Sequence, residues 1–469
     1  MYQIPEEYFY PLHHIRPRFK GDVESVLLFM ATQIARLEPA DPETFKSKLN
    51  DAIRLYPENA GKEQKTIDNW RTEISALFGL LEYGEEIVKP GRMAILLAEH
   101  QDLIEFFRYF LYYFQYPGGH LKAQETAALI NKGIRFKPAR YLIELFFEGA
   151  KLVKEGERFG ITKAEAAHCI FNDLRVTRDG RPPIETAKLI LANRLAAIKY
   201  DEDGDIVRYA GDILDYLELA DLTKLRPNYQ YYVNASQLNT LQAFVDGQSF
   251  FAPYEVLYGK GNITAADVAK TQAAWFTYVN STLNSSIFEA DVLSLIEEIG
   301  EEKGQSVFIQ QVLSRIRQSR EAQEALKAKE VGDIGEAIII EHEKTRLLGK
   351  PDLVRNVKKI PEQFAVGYDI SSFEGEGELR RYIEVKTTVS RGKLASRNFH
   401  MTPSEWSAAS SSREIYFVYR LMISGENLSL FLIQDPVGKY KQDLLGMVPR
   451  DGADITYSDK SGHYADLLV

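Results

Sequence analysis

The sequence predicts a multidomain protein with a mainly helical N-terminal half carrying winged-helix-like modules, and a C-terminal α/β domain built on a mixed central sheet. Three observations predict it. The chain has 469 residues and 45% apolar content, enough for about two to four domains with cores of their own. Over the first 260 residues helical periodicity is interrupted by short apolar extended runs. After residue 331 the order becomes helix, hairpin with acidic ends, short helix and two strongly apolar strands. The regions that follow are 1–160, helical and winged-helix-like; 161–260, a second such region; 261–330, a helical linker or dimerisation region; and 331–469, the α/β domain.

In chain order, KTIDNWRTEISALFGLLEYGEEIVKPGRMAILLAEHQDL, from Lys65, reads as a helix capped by Thr66 and ended near Gly79. Two short extended runs around Leu81 and Ile87 and another helix follow. A helix followed by a small hairpin is the winged-helix pattern, in which the helix can enter a major groove or the module can dock a protein or a second copy. FFRYFLYYF, at 106–114, is too short to span a bilayer and contains Arg108, so a buried helix is expected. RFGITKAEAAHCIFNDLRV starts like a helix-turn-helix, with Thr162 as N-cap and Glu165 at the capping-box position. The helix-then-hairpin logic returns in PPIETAKLILANRLAAIKYDEDGDIVRYAGDILDYLELADLTKLRPNYQYYVNASQL. Its helices end near Tyr200 and Leu219, ahead of Leu225, Arg226 and a YQYYVN strand. Between 262 and 330, AADVAKTQAAWFTYVN, IFEADVLSLIEEIG and GQSVFIQQVLSRIRQSREAQEALKAKE read as helices. The last gathers Val307, Ile309, Val312, Leu313 and Ile316 near one face before charge dominates.

VGDIGEAIIIEHEKTRLLGK then forms a helix with Ile334, Ile338, Leu347 and Leu348 in its apolar stripe. YDISSF and RRYIEVKTT are paired strands around an EGEGE turn. Alternation sends Tyr382, Glu384 and Lys386 to one face and Ile383, Val385 and Thr387 to the other. Asp369 opens the first strand. Two carboxylates beside a lysine suit a hydrolytic metal site, with oxygens for a hard cation such as Mg²⁺ and a lysine that orients or deprotonates the attacking water near a phosphodiester. The competing reading is a cross-strand ion pair on a solvated face. Glu336 either faces the metal from the helix or answers the helix dipole. Downstream, a Ser/Thr-led short helix around Ser404–Ala409 precedes two apolar strands. Glu405 and Trp406 either shape its packing or touch substrate.

GDIGE at 332–336, GYDI at 367–370, YIEVKTT at 382–388 and FHMTPSEW at 399–406 together resemble the PD-(D/E)XK nuclease superfamily. More narrowly, they resemble the small nuclease-like domain that also forms the C-terminus of plant NO VEIN proteins and occurs in bacterial restriction and phage-defence genes. The resemblance covers about 331–445. It implies that Asp369, Glu384 and the backbone carbonyl of Val385 ligate Mg²⁺, with Mn²⁺ able to substitute, that Lys386 activates water, and that Glu336 is the helical glutamate. Tyr368 stands where the superfamily's name has proline. GLLEYGEEIVKPGRMAILLAE and DGDIVRYAGDILDYLELADLTKL resemble, at the level of pattern over about 60–245, the winged-helix-like recognition half of type IIS restriction endonucleases. Together the resemblances imply a Mg²⁺-dependent endonuclease acting on double-stranded DNA in a bacterial restriction or anti-phage system, its N-terminal region choosing the DNA. The alternatives are a modification-dependent nuclease, and a non-catalytic DNA-binding or assembly module that keeps a nuclease fold.

The net charge of −10 argues against nucleic acid globally, but a footprint is local. Residues 331–469 hold 18 Lys/Arg against 20 Asp/Glu, and Lys358, Lys359, Arg380, Arg381, Arg391, Lys393 and Arg397 cluster around the acidic hairpin. They are candidates for the DNA backbone or solubilising charges. The single cysteine, Cys169, excludes a disulfide scaffold and points to a reducing cytoplasm. With no charged leader and no run of 18 apolar residues, no membrane association is expected. No Gly-rich loop ending in Lys-Ser/Thr, CxxC pair or HExxH supports ATP-driven translocation or zinc, and nothing supports a methyltransferase. One D…ExK copy predicts a nick, or a duplex break made by a homodimer on DNA or with a partner subunit.

Overall fold

The computed structural model describes residues 1–17, 22–56, 59–84, 86–247, 249–281, 286–302, 313–314, 331–361, 364–375, 379–425, 427–449 and 451–468. They fall into two compact units, one of 1–21, 29–99 and 104–288, the other of 22–28, 100–103 and 289–469. The charged segment 304–330 and the middle of the EGEGE turn, 376–378, lie outside the described residues apart from Leu313 and Ser314.

The first unit is helical with small sheets. Helical residues run from Gln64 through a π turn at Trp70–Ile74 to Phe78, and Gly79 closes the run in the left-handed conformation at φ 65°. Glu63, not Thr66, holds the N-cap position, and its side chain makes no capping bond. The expected extended runs are β1 (Leu81–Tyr83) and β2 (Val88–Pro90), an antiparallel hairpin. FFRYFLYYF lies in the helix Leu103–Tyr113, where Phe106, Phe107 and Phe110 pack with Phe78 and Tyr216. Thr162 and Glu165 make the expected reciprocal capping box. The expected helix end near Tyr200 falls earlier, at Leu195, and the next helix, Asp205–Leu219, ends where expected. β3 (Gly160–Ile161), β4 (Thr223–Leu225) and β5 (Tyr231–Val233) form a three-stranded sheet with β5 in the middle, so the 160/161 boundary falls inside β3. AADVAKTQAAWFTYVN divides into two helices, Ala265–Ala269 and Gln272–Val279.

Lys137 is buried in this unit, donating to Tyr112 O at 3.0 Å and Tyr278 Oη at 3.1 Å beside the rings of Tyr112, Phe250 and Tyr278. Burial, with Arg140 adding to it, pushes its ammonium pKa down to about 7.

The second unit is built on a mixed six-stranded sheet. β6 (Lys358–Lys359), β7 (Ile370–Phe373), β8 (Arg380–Ser390), β10 (Tyr416–Ser424), β11 (Leu428–Gln434) and β14 (His463–Ala465) lie in the order β14-β11-β10-β8-β7-β6. The β8–β10 pair is parallel and every other pair antiparallel. All nine residues of β10 are buried, as a run of FVYRLMI demands of a central strand. On one face the helix Val331–Arg346 packs Ile339 with Leu347 against Ile370, Ile383, Val385, Phe417 and Tyr419. Leu348, expected in its stripe, is instead exposed. The other face carries Tyr416, Val418, Phe431 and Ile433 under the helix Pro403–Ser412 and a small sheet of β9 (Asn398–Met401), β12 (Leu445–Pro449) and β13 (Ala453–Tyr457).

A buried clamp ties the long helix to the sheet. Glu343 accepts from Ser372 Oγ on β7 (2.6 Å) and Tyr419 Oη on β10 (2.9 Å), and pairs with Arg346 at 2.7 Å. Arg381 on β8 donates to Tyr419 Oη and to Glu374, each at 2.7 Å. The carboxylate is thus fully buried yet multiply bonded, the condition under which such burial is tolerated.

Candidate active site

The β7–β8 ladder runs from Phe373↔Arg380 to Ile370↔Ile383 and stops. Asp369, one residue earlier, still donates its N–H to Ile383 O (2.9 Å) and accepts at its own carbonyl from Ile360 N (2.7 Å). The next inward donor on that edge of β8, Val385 N–H, has no β7 residue opposite it. The Asp369 carboxylate takes it, Oδ2 to N at 2.7 Å. A side chain finishes the ladder that backbone began, so the aspartate's position is set by strand register.

That register sets Asp369 across from Glu384, and alternation puts Glu384 and Lys386 on one face. On that face Lys386 Nζ lies 2.6 Å from Glu384 Oε1 and 2.8 Å from Glu405 Oε2 of the helix Pro403–Ser412. Glu405 is fixed from behind, because its Oε2 also accepts from Thr402 N in a capping box. Beneath, the buried Arg420 of β10 donates to Lys386 O (2.9 Å) and Thr388 Oγ1 (2.7 Å), holding the β8 backbone where the lysine leaves it.

The two motif glycines are spatial necessities. Thr387 occupies the place a Cβ on Gly335 would fill, so the long helix comes onto β8 close enough for Glu336 to feel the charge of Asp369. Gly367 sits at φ 76° with the Ser404 carbonyl and Ala408 pressed against it. Lys359, in register with Ile370, reaches Asp333 Oδ1 and Glu336 Oε2, each at 2.7 Å.

Burial, foremost, holds Glu384 well above the usual carboxylate range, with Asp369 and Glu405 repelling its charge and Lys386 opposing them. Asp369 is raised, again by burial, against the Val385 N–H and Lys386. Burial and then Asp369 push Glu336 up to about 7, while Lys359 pulls the other way. Burial disfavours charge on Lys386, but Glu384 and Glu405 outweigh it and raise its pKa. Burial also works against ionisation of Glu405, and Lys386 reverses it. Among the described residues no three His, Cys, Asp or Glu side chains converge to hold a metal by themselves. The donors at the ladder's end are two carboxylates, Asp369 and Glu384, flanking Val385.

The basic residues around the hairpin divide. Lys358, Arg380 and Lys393 are exposed, Arg380 lying over the Phe373 ring at 5.8 Å. The others have acidic partners: Lys359 as above, Arg381 in the Glu343 clamp, Arg391 with Glu298 (2.8 Å) and Arg397 with Asp459 (2.7 Å). Trp406 packs on the apolar cluster around Tyr416. Sequence reasoning left Glu405 unassigned and passed over Arg420. The signals for them were a capping-box spacing from Thr402 and one arginine in an otherwise apolar strand.

This architecture defines a chain in which a mainly helical unit precedes a mixed-sheet α/β unit carrying a buried carboxylate–lysine–carboxylate site. The first part matches the family model "Restriction endonuclease BpuJI - N terminal" over residues 2–276, more than half of the chain, and the protein belongs to that family. Residues 335–433 match the model "Protein NO VEIN, C-terminal". Among solved structures, the chain is similar to "Crystal structure of pyrene- and phenanthrene-modified DNA in complex with the BpuJ1 endonuclease binding domain". The TM-score is 0.50 at 21% identity, over 60% of this chain and 100% of that one, a likeness of fold. No curated protein matches the chain. Among the described residues no helix is long and apolar enough to cross a membrane.

Proposed function

We propose that the protein is a Mg²⁺-dependent DNA endonuclease of a restriction or anti-phage system, in which the helical unit binds DNA and the α/β unit hydrolyses a phosphodiester. The observation that carries the reading is the meeting of Asp369, Glu384 and Lys386 at the end of one β-ladder, in a chain of a restriction-endonuclease family. The PD-(D/E)XK resemblance supports the nuclease half. The solved neighbour is a complex with modified DNA, which supports the binding half; winged-helix modules are our reading of how that binding is made.

Asp369 and Glu384, both lifted by burial, are a fitting donor set, since Mg²⁺ is commonly held through one or two carboxylates, completing its coordination with water and phosphate oxygens. Asp369, Glu384 and the Val385 carbonyl would hold it, or Mn²⁺. Bound there, the ion would supply Lewis-acid charge to a phosphoryl oxygen. Lys386, whose charge Glu384 and Glu405 favour, contributes a cation where negative charge develops. Glu405 aims that cation. Glu336, at about 7, is a group able to take up a proton near neutrality.

The test is incubation with plasmid and phage DNA, modified and unmodified, with Mg²⁺ or without. Metal-dependent cleavage is expected, abolished in Asp369→Ala and Glu384→Ala while gel-shift binding persists. Wild-type rates in either variant would remove the site assignment. Cutting confined to modified DNA would establish the modification-dependent form. Binding without cutting in Mg²⁺ and Mn²⁺ would leave an assembly module.

A further inference from the structure

A second pair of carboxylates borders the site. Asp333 and Glu336 lie three residues apart at the start of the helix Val331–Arg346, so they project from the same side of it. Neither is left to water. Lys359 Nζ sits 2.7 Å from Asp333 Oδ1 and 2.7 Å from Glu336 Oε2, with the Glu336 side chain 14% exposed. The lysine is not a surface residue that folds down by chance. It stands on β6, in register with Ile370, and the next residue's N–H bonds the carbonyl of Asp369. The strand that flanks Asp369 therefore delivers an ammonium to the carboxylates beside it.

Hydrolytic sites that use two divalent ions place them about 3.5–4 Å apart, each held through carboxylate oxygens together with water and phosphate. Here one oxygen of each carboxylate that would serve a second ion already faces a tethered monovalent cation. A free Mg²⁺ would have to shed water, which it does reluctantly, and displace an ion pair held in place by strand pairing. We propose that Lys359 is a built-in cation standing in place of a second divalent ion, so that the site takes one ion, on Asp369 and Glu384. The proposal rests on the nuclease reading above and gives Lys359 an inward, charge-positioning role rather than a contact to the DNA backbone.

Calorimetric titration with Mg²⁺ and electron paramagnetic resonance with Mn²⁺ count bound ions without relying on cleavage. Wild-type protein is expected to bind one ion per chain and Lys359→Met two. Lys359→Gln, a second neutral variant, should also bind two, and Lys359→Arg, which keeps the charge, one. Adding Glu336→Gln to Lys359→Met should return the count to one, which places the extra ion. Two ions in the wild type would overturn the proposal and leave the nuclease reading standing. So would one ion in both neutral variants, including the case in which they only weaken DNA binding. No bound ion in the wild type would overturn both.

Discussion

Lys386 Nζ has Glu384 at 2.6 Å and Glu405 at 2.8 Å, and their charge outweighs the burial that would neutralise it. Lys386→Met should therefore cut turnover by roughly 10²–10³-fold, the cost of removing one preorganised group that stabilises transition-state charge, while Mn²⁺ binding persists. Single-turnover kinetics beside a binding titration check this, and near-normal turnover would return the lysine to a structural role. Glu405→Gln, which keeps the capping geometry but not the charge, should give a smaller loss. A different residue sets a pH dependence in the helical unit. Lys137 has its folded pKa lowered to about 7, against about 10.4 in an unfolded chain. Between those values the unfolded chain binds the extra proton, so stability rises with pH from about 7 towards 10, and below 7 the burial cost is on the order of 5 kcal/mol. Urea unfolding at pH 6.5, 8 and 9.5 should show a rise that Lys137→Met flattens. The same two residues mark what a sequence discloses. Residue type and alternation place Glu384 with Lys386, but the capping-box spacing that marks Glu405 does not pair it with a lysine 19 residues earlier, and the aromatic walls of Lys137 leave no local trace.

At the level of elements, the ladder's end is what turns four sequence blocks into one site. The strands were legible because β8 sets Ile383 and Val385 between Tyr382, Glu384 and Lys386, and β10 is too apolar to be anything but central. The helix near Thr66 began earlier than its best capping residue because the π turn and the packed Trp70 fix that helix through tertiary contacts. Clustering of basic residues in sequence likewise does not reveal that Arg381 lies in a clamp with Glu374 and Glu343. Gly335→Ala and Gly367→Ala should both lower the thermal midpoint, the first by driving the long helix off Thr387, the second through a left-handed φ as well as a clash.

For the molecule as a whole, under the proposed nuclease function the single D…ExK copy would hydrolyse one strand per encounter. Two antiparallel strands need a second site, so either nicks are the product, or a second copy or partner joins on DNA. We expect at least transient dimerisation on target DNA, which is compatible with a monomer in its absence because association can be linked to substrate. Light scattering with and without target, beside a strand-specific cleavage assay, tests this; a strictly monomeric complex that breaks both strands in one encounter would defeat it. A final consequence lies in the order in which the α/β unit can fold. Its only parallel pair among the described strands, β8 with β10, cannot zip from a tight turn. It must first close the long excursion through β9 and the helix Pro403–Ser412, and such non-local pairing forms slowly. That excursion is also what brings Glu405 to Lys386. A nascent chain emerging from the ribosome therefore carries its acidic hairpin early but lacks the contact that holds the lysine in place until the sheet's centre has closed.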